Sequence, residues 1–166
     1  MPLRPGDVVG AYEIVSLLGH GGMATVYRAY HARLNRHVAI KMIHPAHLQD
    51  PNLLARFERE AQIVAALEHP NIVPVYDFSE HEGEPYLVMK LVEGSTLKAM
   101  LTGGALRVED ILAIATPIAQ ALDYAHQQGV LHRDIKPSNV MLDRQMTPYL
   151  TDFGLARVAV AGDSTI

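Results

Sequence analysis

The chain has 166 residues, 49% of them hydrophobic, and is therefore long enough to enclose a core in one domain or in two small lobes. Its formal net charge of -4 gives no reason to expect a nucleic-acid-binding surface. The absence of cysteine excludes disulfides, thiolate metal sites and a cysteine nucleophile.

The first part of the chain is predicted to form strands that are interrupted by glycines, at 12–19, 24–31 and 36–43. An amphipathic helix is predicted over 53–68, where apolar side chains recur near helical spacing with charged residues between them. These apolar positions are Leu53, Phe57, Ile63, Val64 and Leu67. The His-Pro-Asn sequence at 69–71 is expected to end the helix, since proline disfavours helical geometry in the residue before it.

Two further strands, 72–78 and 85–92, are predicted on either side of a polar turn at 79–84. A short linker at 93–96 then leads to a predicted helix over 110–128, in which Pro117 is a candidate kink. The apolar stripe of this helix consists of Ile111, Ile114, Ala115, Ile118, Leu122 and Ala125. Short strands are predicted around 140–151, and a division of the chain is expected near Val92–Thr96.

Two motifs in the first part admit more than one interpretation. Gly19, Gly21 and Gly22 lie between predicted strands, and a turn without side chains can bring backbone N–H groups close to phosphate oxygens. An ordinary glycine hairpin fits the same sequence. Lys41 ends an apolar strand and needs a partner such as Glu60 or an anion, although an edge lysine whose ammonium reaches water fits as well.

The segments HRDIKPSN (132–139) and TDFG (151–154) hold polar groups that a loop crossing the surface does not need. Asp134 can accept a proton from a hydroxyl group, and Lys136 can neutralise a phosphate. Asn139 and Asp152 offer oxygen ligands of the kind that Mg²⁺ prefers. The arrival of these motifs in this order favours a chemical site over a plain polar loop.

With these motifs the chain resembles the protein kinases, in particular the eukaryote-like Ser/Thr kinases of bacteria. LGHGGMATVY (18–27) is similar to the glycine-rich loop over the ATP phosphates, and VAIK (38–41) to the strand that carries the ATP lysine. The resemblance implies an α+β kinase fold. Residues 1–92 would form a complete N-lobe, an antiparallel five-stranded sheet plus the αC helix. Residues 93–166 would form the first part of a helical C-lobe with two helices, the catalytic loop, DFG and the start of the activation loop.

The resemblance implies an ATP-dependent protein Ser/Thr kinase that uses Mg²⁺ or Mn²⁺. Asp134 would orient or deprotonate the substrate hydroxyl, and Lys136 would neutralise the transferring phosphoryl group. Lys41 would pair with Glu60, and Asn139 and Asp152 would hold the metal ion. The nucleotide-binding residues would be Leu18, Gly19, Gly21, Gly22, Val26, Ala39, Lys41, Met89, Lys90, Val92 and Met141, with Met89 as gatekeeper, 90–92 as hinge and Leu97 against the adenine. A hydrophobic stack that reports the active state would consist of Val64, Val75, His132 and Phe153.

The chain resembles only the first part of the kinase domain, because no A-P-E motif follows DFG. Apolar faces of the 111–125 helix and of the 140–151 strands are therefore expected to lack cover. The resemblance also makes Arg133 a candidate partner for a phosphorylated residue, with Ser164 and Thr165 as the candidate phosphosites.

Two functions stay open: the N-terminal part of an active kinase, and an ATP-binding or regulatory module without catalysis. A small-molecule phosphotransferase is disfavoured, because the catalytic-loop sequence is that of protein kinases. Expected partners are a protein substrate with Ser or Thr and either a second copy or a partner kinase, but no nucleic acid. The sequence shows neither a signal peptide nor an apolar run of about 18 residues, so we expect a cytoplasmic location.

Overall fold

The computed structural model describes residues 2–22, 24–44 and 53–153, without the side chains of Leu53, Leu54 and Arg56. Within these ranges the chain forms two compact units. The first consists of the described residues up to Ala65 together with Val75–Leu91. The second consists of Ala66–Pro74 and of the described residues from Val92 onward. The fold is therefore described one unit at a time.

An antiparallel sheet forms the first unit, with six strands among its described residues in the spatial order β1-β2-β3-β4-β6-β5. The strands are β1 (Val8–Val9), β2 (Tyr12–His20), β3 (Ala24–His31), β4 (Arg36–Ile43), β5 (Val75–His81) and β6 (Glu84–Lys90). The predicted antiparallel sheet is confirmed. The extra strand is β1, whose two residues are too few to show a periodic pattern.

The hairpin between β5 and β6 is tighter than predicted. Residues 79–81 continue β5, so the turn consists of Glu82 and Gly83 alone, with φ of 51° and 80°. Positive φ at both positions gives the two-residue turn whose twist matches that of the flanking strands. The polar residues of 79–81 mark the exposed end of an edge strand rather than a loop.

The helix of the first unit, α1 (Leu53–Ala65), packs against β5 and β6. Phe57, Ala61 and Val64 are buried at helical spacing, as the periodicity of the sequence predicts. Ile63 was expected on the same stripe but is partly exposed, so this part of the prediction is wrong. The helix also ends at Ala65, three residues before the predicted end at 68.

One face of the sheet forms the core of the first unit. Its side chains come from alternating positions of neighbouring strands, which project to the same face. They are Val9, Tyr12, Ile14, Tyr27, Ala29, Val38, Ile40, Met42, Tyr86 and Val88, and Leu3 packs against them. The opposite face is thereby left to the intervening residues of the same strands.

The second unit combines helices with a small antiparallel sheet. Its described elements are β7 (Gly94–Thr96), α2 (Leu97–Thr102), α3 (Val108–Gln127), β8 (Val140–Asp143) and β9 (Pro148–Leu150). Thr96 caps α2, since its hydroxyl oxygen accepts from Ala99 N at 3.1 Å. The α3 helix runs through Pro117 without a break. Among the described helices, none combines the length and the apolar character needed to cross a membrane.

The expectation of uncovered apolar surface holds for α3 but not for the strands. An apolar groove of about 500 Å³ runs along α3. Ile111 on this helix remains 48% exposed. In contrast, Val140, Leu142 and Leu150 of β8 and β9 are buried. The strands are covered within their own unit.

Candidate active site

The register of the first unit gathers predicted site residues on the sheet face opposite the core. Directly opposite residues of an antiparallel pair project to the same face. Gly19 lies opposite Val26, and Val26 lies opposite Lys41. Ala39, two positions before Lys41 and therefore on its face, lies opposite Met89. Five of the predicted nucleotide-binding residues thus share one face, which we call the lysine face: Gly19, Val26, Ala39, Lys41 and Met89.

The glycines at the end of the lysine face are not required by the fold itself. A Cβ atom built on Gly19 or Gly22 would meet no atom within 4 Å, and neither residue has a left-handed φ. Packing and backbone strain therefore leave the choice of glycine at these positions unexplained. A turn of this kind leaves room for a ligand to approach the bare backbone, and phosphate oxygens suit its N–H groups.

Other predicted residues of the first unit lie around this face. Lys41 on β4 and Glu60 on α1 are both half-buried. Leu18 precedes Gly19 and is exposed. Lys90 ends β6 opposite Val38, a core-face residue, so its side chain projects away from the lysine face. Any contribution of Lys90 to a nucleotide site therefore comes from its backbone.

The polar residues of the HRDIKPSN segment, in the second unit, are joined by short contacts. Asp134 Oδ2 lies 2.6 Å from Lys136 Nζ. The amide nitrogen of Asn139 donates to the same carboxylate oxygen at 3.0 Å and to the backbone oxygen of Asp134 at 2.8 Å. The ammonium of Lys136 is the largest cause of the lowered pKa of Asp134; burial opposes it, and the amide of Asn139 lowers the pKa further. Asp134 is therefore held as a carboxylate in a fixed orientation.

His132 anchors this loop to the segment that leads to Asp152. Its Nε2 lies 2.7 Å from the backbone oxygen of Thr151, which can only accept, so Nε2 carries the proton. Its Nδ1 accepts from Asp134 N at 3.2 Å. The ring is therefore a neutral imidazole, in agreement with the burial that lowers the pKa of His132. Phe153 packs against it with ring centroids 4.6 Å apart.

Left-handed backbone occurs at two non-glycine residues beside this anchor. Arg133 has φ of 64° and Asp152 has φ of 63°. Such conformations cost about 1–3 kcal/mol each and persist where the surroundings impose them. The hydrogen bonds of His132 and the bond from Thr151 N to Asn139 O at 3.0 Å supply that constraint. Strain of this kind is concentrated at functional sites, which supports a role for Asp152.

Asn71 is a positioning residue that the sequence interpretation missed. Its side-chain amide donates to Pro148 O at 2.9 Å, and its backbone oxygen accepts from Leu150 N at 2.7 Å. His69 Nδ1 in turn accepts from Asn71 N at 3.1 Å. The His-Pro-Asn sequence thus holds β9, the strand that precedes Asp152. Its only sequence signal was the proline, which indicated a helix end.

The donor set of the second unit suits Mg²⁺. The side-chain nitrogen of Asn139 donates to Asp134, so the side-chain oxygen of Asn139 points away from Asp134 and can act as a metal ligand. Asp152 directly follows Thr151, whose backbone N–H donates to Asn139 O at 3.0 Å. The described residues contain no cluster of three or more His, Cys, Asp or Glu side chains. Mg²⁺ keeps several waters and takes few protein ligands beside phosphate oxygens, so two oxygen donors suffice as the protein contribution.

The remaining predicted residues are distributed over both units or lie outside the description. Val92, Leu97 and Met141 belong to the second unit, where Met141 lies on β8 opposite Thr96. Of the proposed hydrophobic stack, Val64 and Val75 belong to the first unit, and His132 and Phe153 are in contact in the second. Arg133 is exposed. Ser164 and Thr165 lie outside the described residues.

Comparison with known proteins shows which sequences this chain resembles. Residues 12–165 match the family described as the protein kinase domain. A probable serine/threonine-protein kinase of Streptomyces coelicolor is 47% identical over 166 residues, which is 97% of this chain and 24% of the relative. The serine/threonine-protein kinase PrkC of Bacillus subtilis is 43% identical over 150 residues, 90% of this chain and 23% of the relative. The chain thus spans about a quarter of the length of these relatives.

Solved structures give the same picture for the fold. A crystal structure of the Mycobacterium tuberculosis PknI kinase domain matches with a TM-score of 0.85 and 34% identity. The match covers 98% of this chain and 71% of that one. A structure described as the apo form of PpkA-294 matches with a TM-score of 0.86 and 30% identity, over 96% of this chain and 64% of that one. The predicted α+β kinase fold is confirmed.

Proposed function

The chain belongs to the protein kinase domain family, and on that premise we propose that it transfers the γ-phosphoryl group of ATP to a Ser or Thr hydroxyl of a protein. The observation that carries the proposal is the contact set around Asp134. One carboxylate oxygen meets both the ammonium of Lys136 and the amide of Asn139, beside the oxygen donors suited to a metal ion. Phosphoryl transfer needs positioned charge more than covalent chemistry from the protein.

We assign the lysine face to the nucleotide. Val26, Ala39 and Met89 provide the apolar surface against the adenine, with Leu18, Leu97 and Met141 as further base contacts and the 90–92 backbone at its polar edge. Gly19, Gly21 and Gly22 let the bare backbone approach the phosphates. The N–H of Gly21 donates to Ala24 O at 2.9 Å and closes the turn, so we assign phosphate oxygens to the N–H groups of Gly19 and Gly22. Lys41 pairs with phosphate oxygens and with Glu60. On this assignment the first unit is the N-lobe and the second is the beginning of the C-lobe.

We assign the loop of the second unit to the reaction. Asp134 accepts the hydrogen bond of the substrate hydroxyl and orients its oxygen toward phosphorus. As the new P–O bond forms and the bond to the leaving ADP breaks, the hydroxyl proton passes to Asp134. Because Lys136 and Asn139 lower the pKa of Asp134, this transfer comes late, and orientation is the main contribution of the carboxylate. Lys136 also neutralises charge on the transferring group.

A metal ion would be held by Asn139 Oδ1 and Asp152. When bound, Mg²⁺ supplies charge neutralisation at the phosphate oxygens. The protein contribution is to present two hard oxygen donors, since Asp134 fixes the amide of Asn139 and the bond from Thr151 to Asn139 fixes the start of the Asp152 segment.

The test measures nucleotide binding and phosphoryl transfer side by side on the same protein with Mg²⁺. Asp134→Asn should abolish transfer to a mixed Ser/Thr peptide substrate while binding persists, and Lys41→Met should weaken binding. Asp123→Asn and Lys98→Met, exposed substitutions on α3 and α2, are the matched controls and should change neither. The kinase proposal fails if labelled phosphate transfer from the wild type equals that from Asp134→Asn.

The alternative, a nucleotide-binding module without catalysis, is favoured by one observation. The apolar groove along α3 leaves the second unit with a large uncovered face, although this unit carries the catalytic loop. Binding of ATP with Mg²⁺ by the wild type, without transfer to any hydroxyl, would establish the alternative for this chain.

A further inference from the structure

Three side chains form a hydrogen-bonded chain at the tip of the β2–β3 hairpin. His20 Nδ1 lies 2.9 Å from Thr25 Oγ1, and Thr25 Oγ1 lies 2.7 Å from His44 Nε2. His44 Nδ1 lies 3.1 Å from the backbone oxygen of Gly22. The two imidazole centroids are 5.1 Å apart, and Thr25 is only 6% exposed. None of the three residues has a role in the proposed reaction.

The direction of donation in this chain follows from chemistry. Gly22 O can only accept, so His44 Nδ1 carries a proton. In a neutral His44 ring, Nε2 then carries none and accepts from the hydroxyl of Thr25. The hydroxyl oxygen in turn accepts from His20 Nδ1. One arrangement of protons satisfies every contact, and each donor is used once.

The hydrogen-bonded network of His20, Thr25 and His44 connects the glycine turn to the strand that carries Lys41. His44 follows β4 three positions after Lys41, and Thr25 lies opposite Met42, a core-face residue. The network therefore contacts the turn on the core face of the sheet and does not occupy the lysine face of β3 and β4. By holding the carbonyl of Gly22, it restrains this residue of the glycine turn, whose N–H we assigned to phosphate.

Packing does not provide this support. A cavity of about 430 Å³ adjoins the turn, and Leu3, Tyr27, Met42 and Glu84 line it together with the network residues. A turn that borders an open cavity is not wedged in place by side chains. The bond from His44 to Gly22, supported by Thr25, restrains the turn together with the bond from Gly21 N to Ala24 O at 2.9 Å.

We propose that Thr25 and His44 are positioning residues for the nucleotide phosphates, acting through the backbone of Gly22. This inference rests on the proposed function, because it assumes that the glycine turn binds phosphate. Loss of the network should leave a folded protein whose glycine turn is looser and whose affinity for nucleotide is lower. The Michaelis constant for ATP should rise more than kcat falls, since the reacting groups of the second unit are untouched.

The first test compares Thr25→Val, which removes the hydroxyl at nearly constant shape, with Thr25→Ser, which keeps it. Thr25→Val should speed amide hydrogen exchange at 19–25 in the absence of nucleotide. It should also weaken ADP binding about five- to tenfold, the effect of losing about one hydrogen bond. Thr25→Ser should restore both properties, and Thr102→Val, the same substitution on α2, should change neither.

The second test combines His44→Ala with Thr25→Val. Because both substitutions act through Gly22, their effects should not add. The double variant should have the same ADP affinity as the single variant that binds ADP less tightly. Unchanged exchange and unchanged ADP affinity in a folded Thr25→Val protein would overturn the positioning role while the kinase proposal stands. Faster amide exchange in Thr25→Val, together with no ADP binding by the wild type, would instead reject the kinase proposal. The network would then stabilise the glycine turn without a role in nucleotide binding.

Discussion

Asn139 donates from a single amide nitrogen to both the backbone oxygen and the carboxylate of Asp134, at 2.8 and 3.0 Å. The contact makes Asn139 a structural residue as well as a candidate metal ligand. Asn139→Leu removes the donor and the ligand oxygen, whereas Asn139→Asp removes only the donor. The two functions of the side chain are therefore separable by substitution.

Asn139→Leu should lower the free energy of unfolding by about 1–3 kcal/mol, since the side chain is buried and its partner oxygens lose a donor. Asn139→Asp should be destabilised as well, because it places two carboxylates side by side. Addition of Mg²⁺ should recover part of the stability of Asn139→Asp and none of that of Asn139→Leu. Urea unfolding with and without Mg²⁺ measures this, with the exposed Gln145→Ala as control. Equal recovery in the two variants would contradict a ligand role.

His132 predicts a pH dependence of stability. Burial lowers the pKa of His132 in the folded protein below its ordinary value of 6.5, so below that pH the unfolded chain binds the extra proton. Stability from this residue is present above the ordinary pKa and is lost as the pH falls toward the folded pKa. The free energy of unfolding should therefore decrease as the pH falls through that window, and less steeply in His132→Phe. Substitution of the exposed His126 by Ala provides the comparison, and parallel pH profiles for wild type and His132→Phe would refute the assignment.

Much of the first unit was accessible from local pattern. Alternation along the strand of Val38–Lys41 sets which side chains face the core, and the register then aligns Ala39 and Lys41 with Val26 and Met89. The burial of Ile63 was predicted wrongly because adjacent residues of a helix point in different directions, and its neighbour Val64 occupies the buried stripe. The predicted hairpin turn was too long, because the polar residues at 79–81 belong to an exposed edge strand and not to the turn.

Asp134, Lys136 and Asn139 could be identified from the sequence because they lie within the eight residues from His132 to Asn139, and Asp152 because it begins the DFG motif. What holds them was not readable, since those contacts join distant segments. Asn71 bonds to Pro148 across 77 positions, and His132 bonds to Thr151 across 19. No periodicity marks such pairs. The link between Thr25 and His44 escaped for the same reason.

Lys136 should control the protonation of Asp134. Its ammonium is the largest cause of the lowered pKa of this carboxyl group, so Lys136→Met should raise that pKa toward its ordinary value. If transfer requires the carboxylate, the acid limb of the pH–rate profile should move to higher pH in the variant. Carboxyl NMR titration of Asp134 gives the same shift without relying on activity. Lys98→Met is the control, and an unmoved Asp134 titration in Lys136→Met would show that the ion pair does not form in solution.

Two glycines should respond to alanine in opposite ways. Gly94 on β7 lies so close to β8 that an added Cβ would overlap the carbonyl group of Leu142, whereas a Cβ on Gly19 would meet nothing within 4 Å. Gly94→Ala should therefore lower the free energy of unfolding by about 1–3 kcal/mol or more, because the backbones must separate. Gly19→Ala should leave stability almost unchanged and weaken ADP binding, because the methyl group occupies space that we assign to phosphate. Urea unfolding and ADP titration of both variants distinguish the roles, and full ADP affinity in Gly19→Ala would argue that this glycine serves the hairpin rather than the nucleotide.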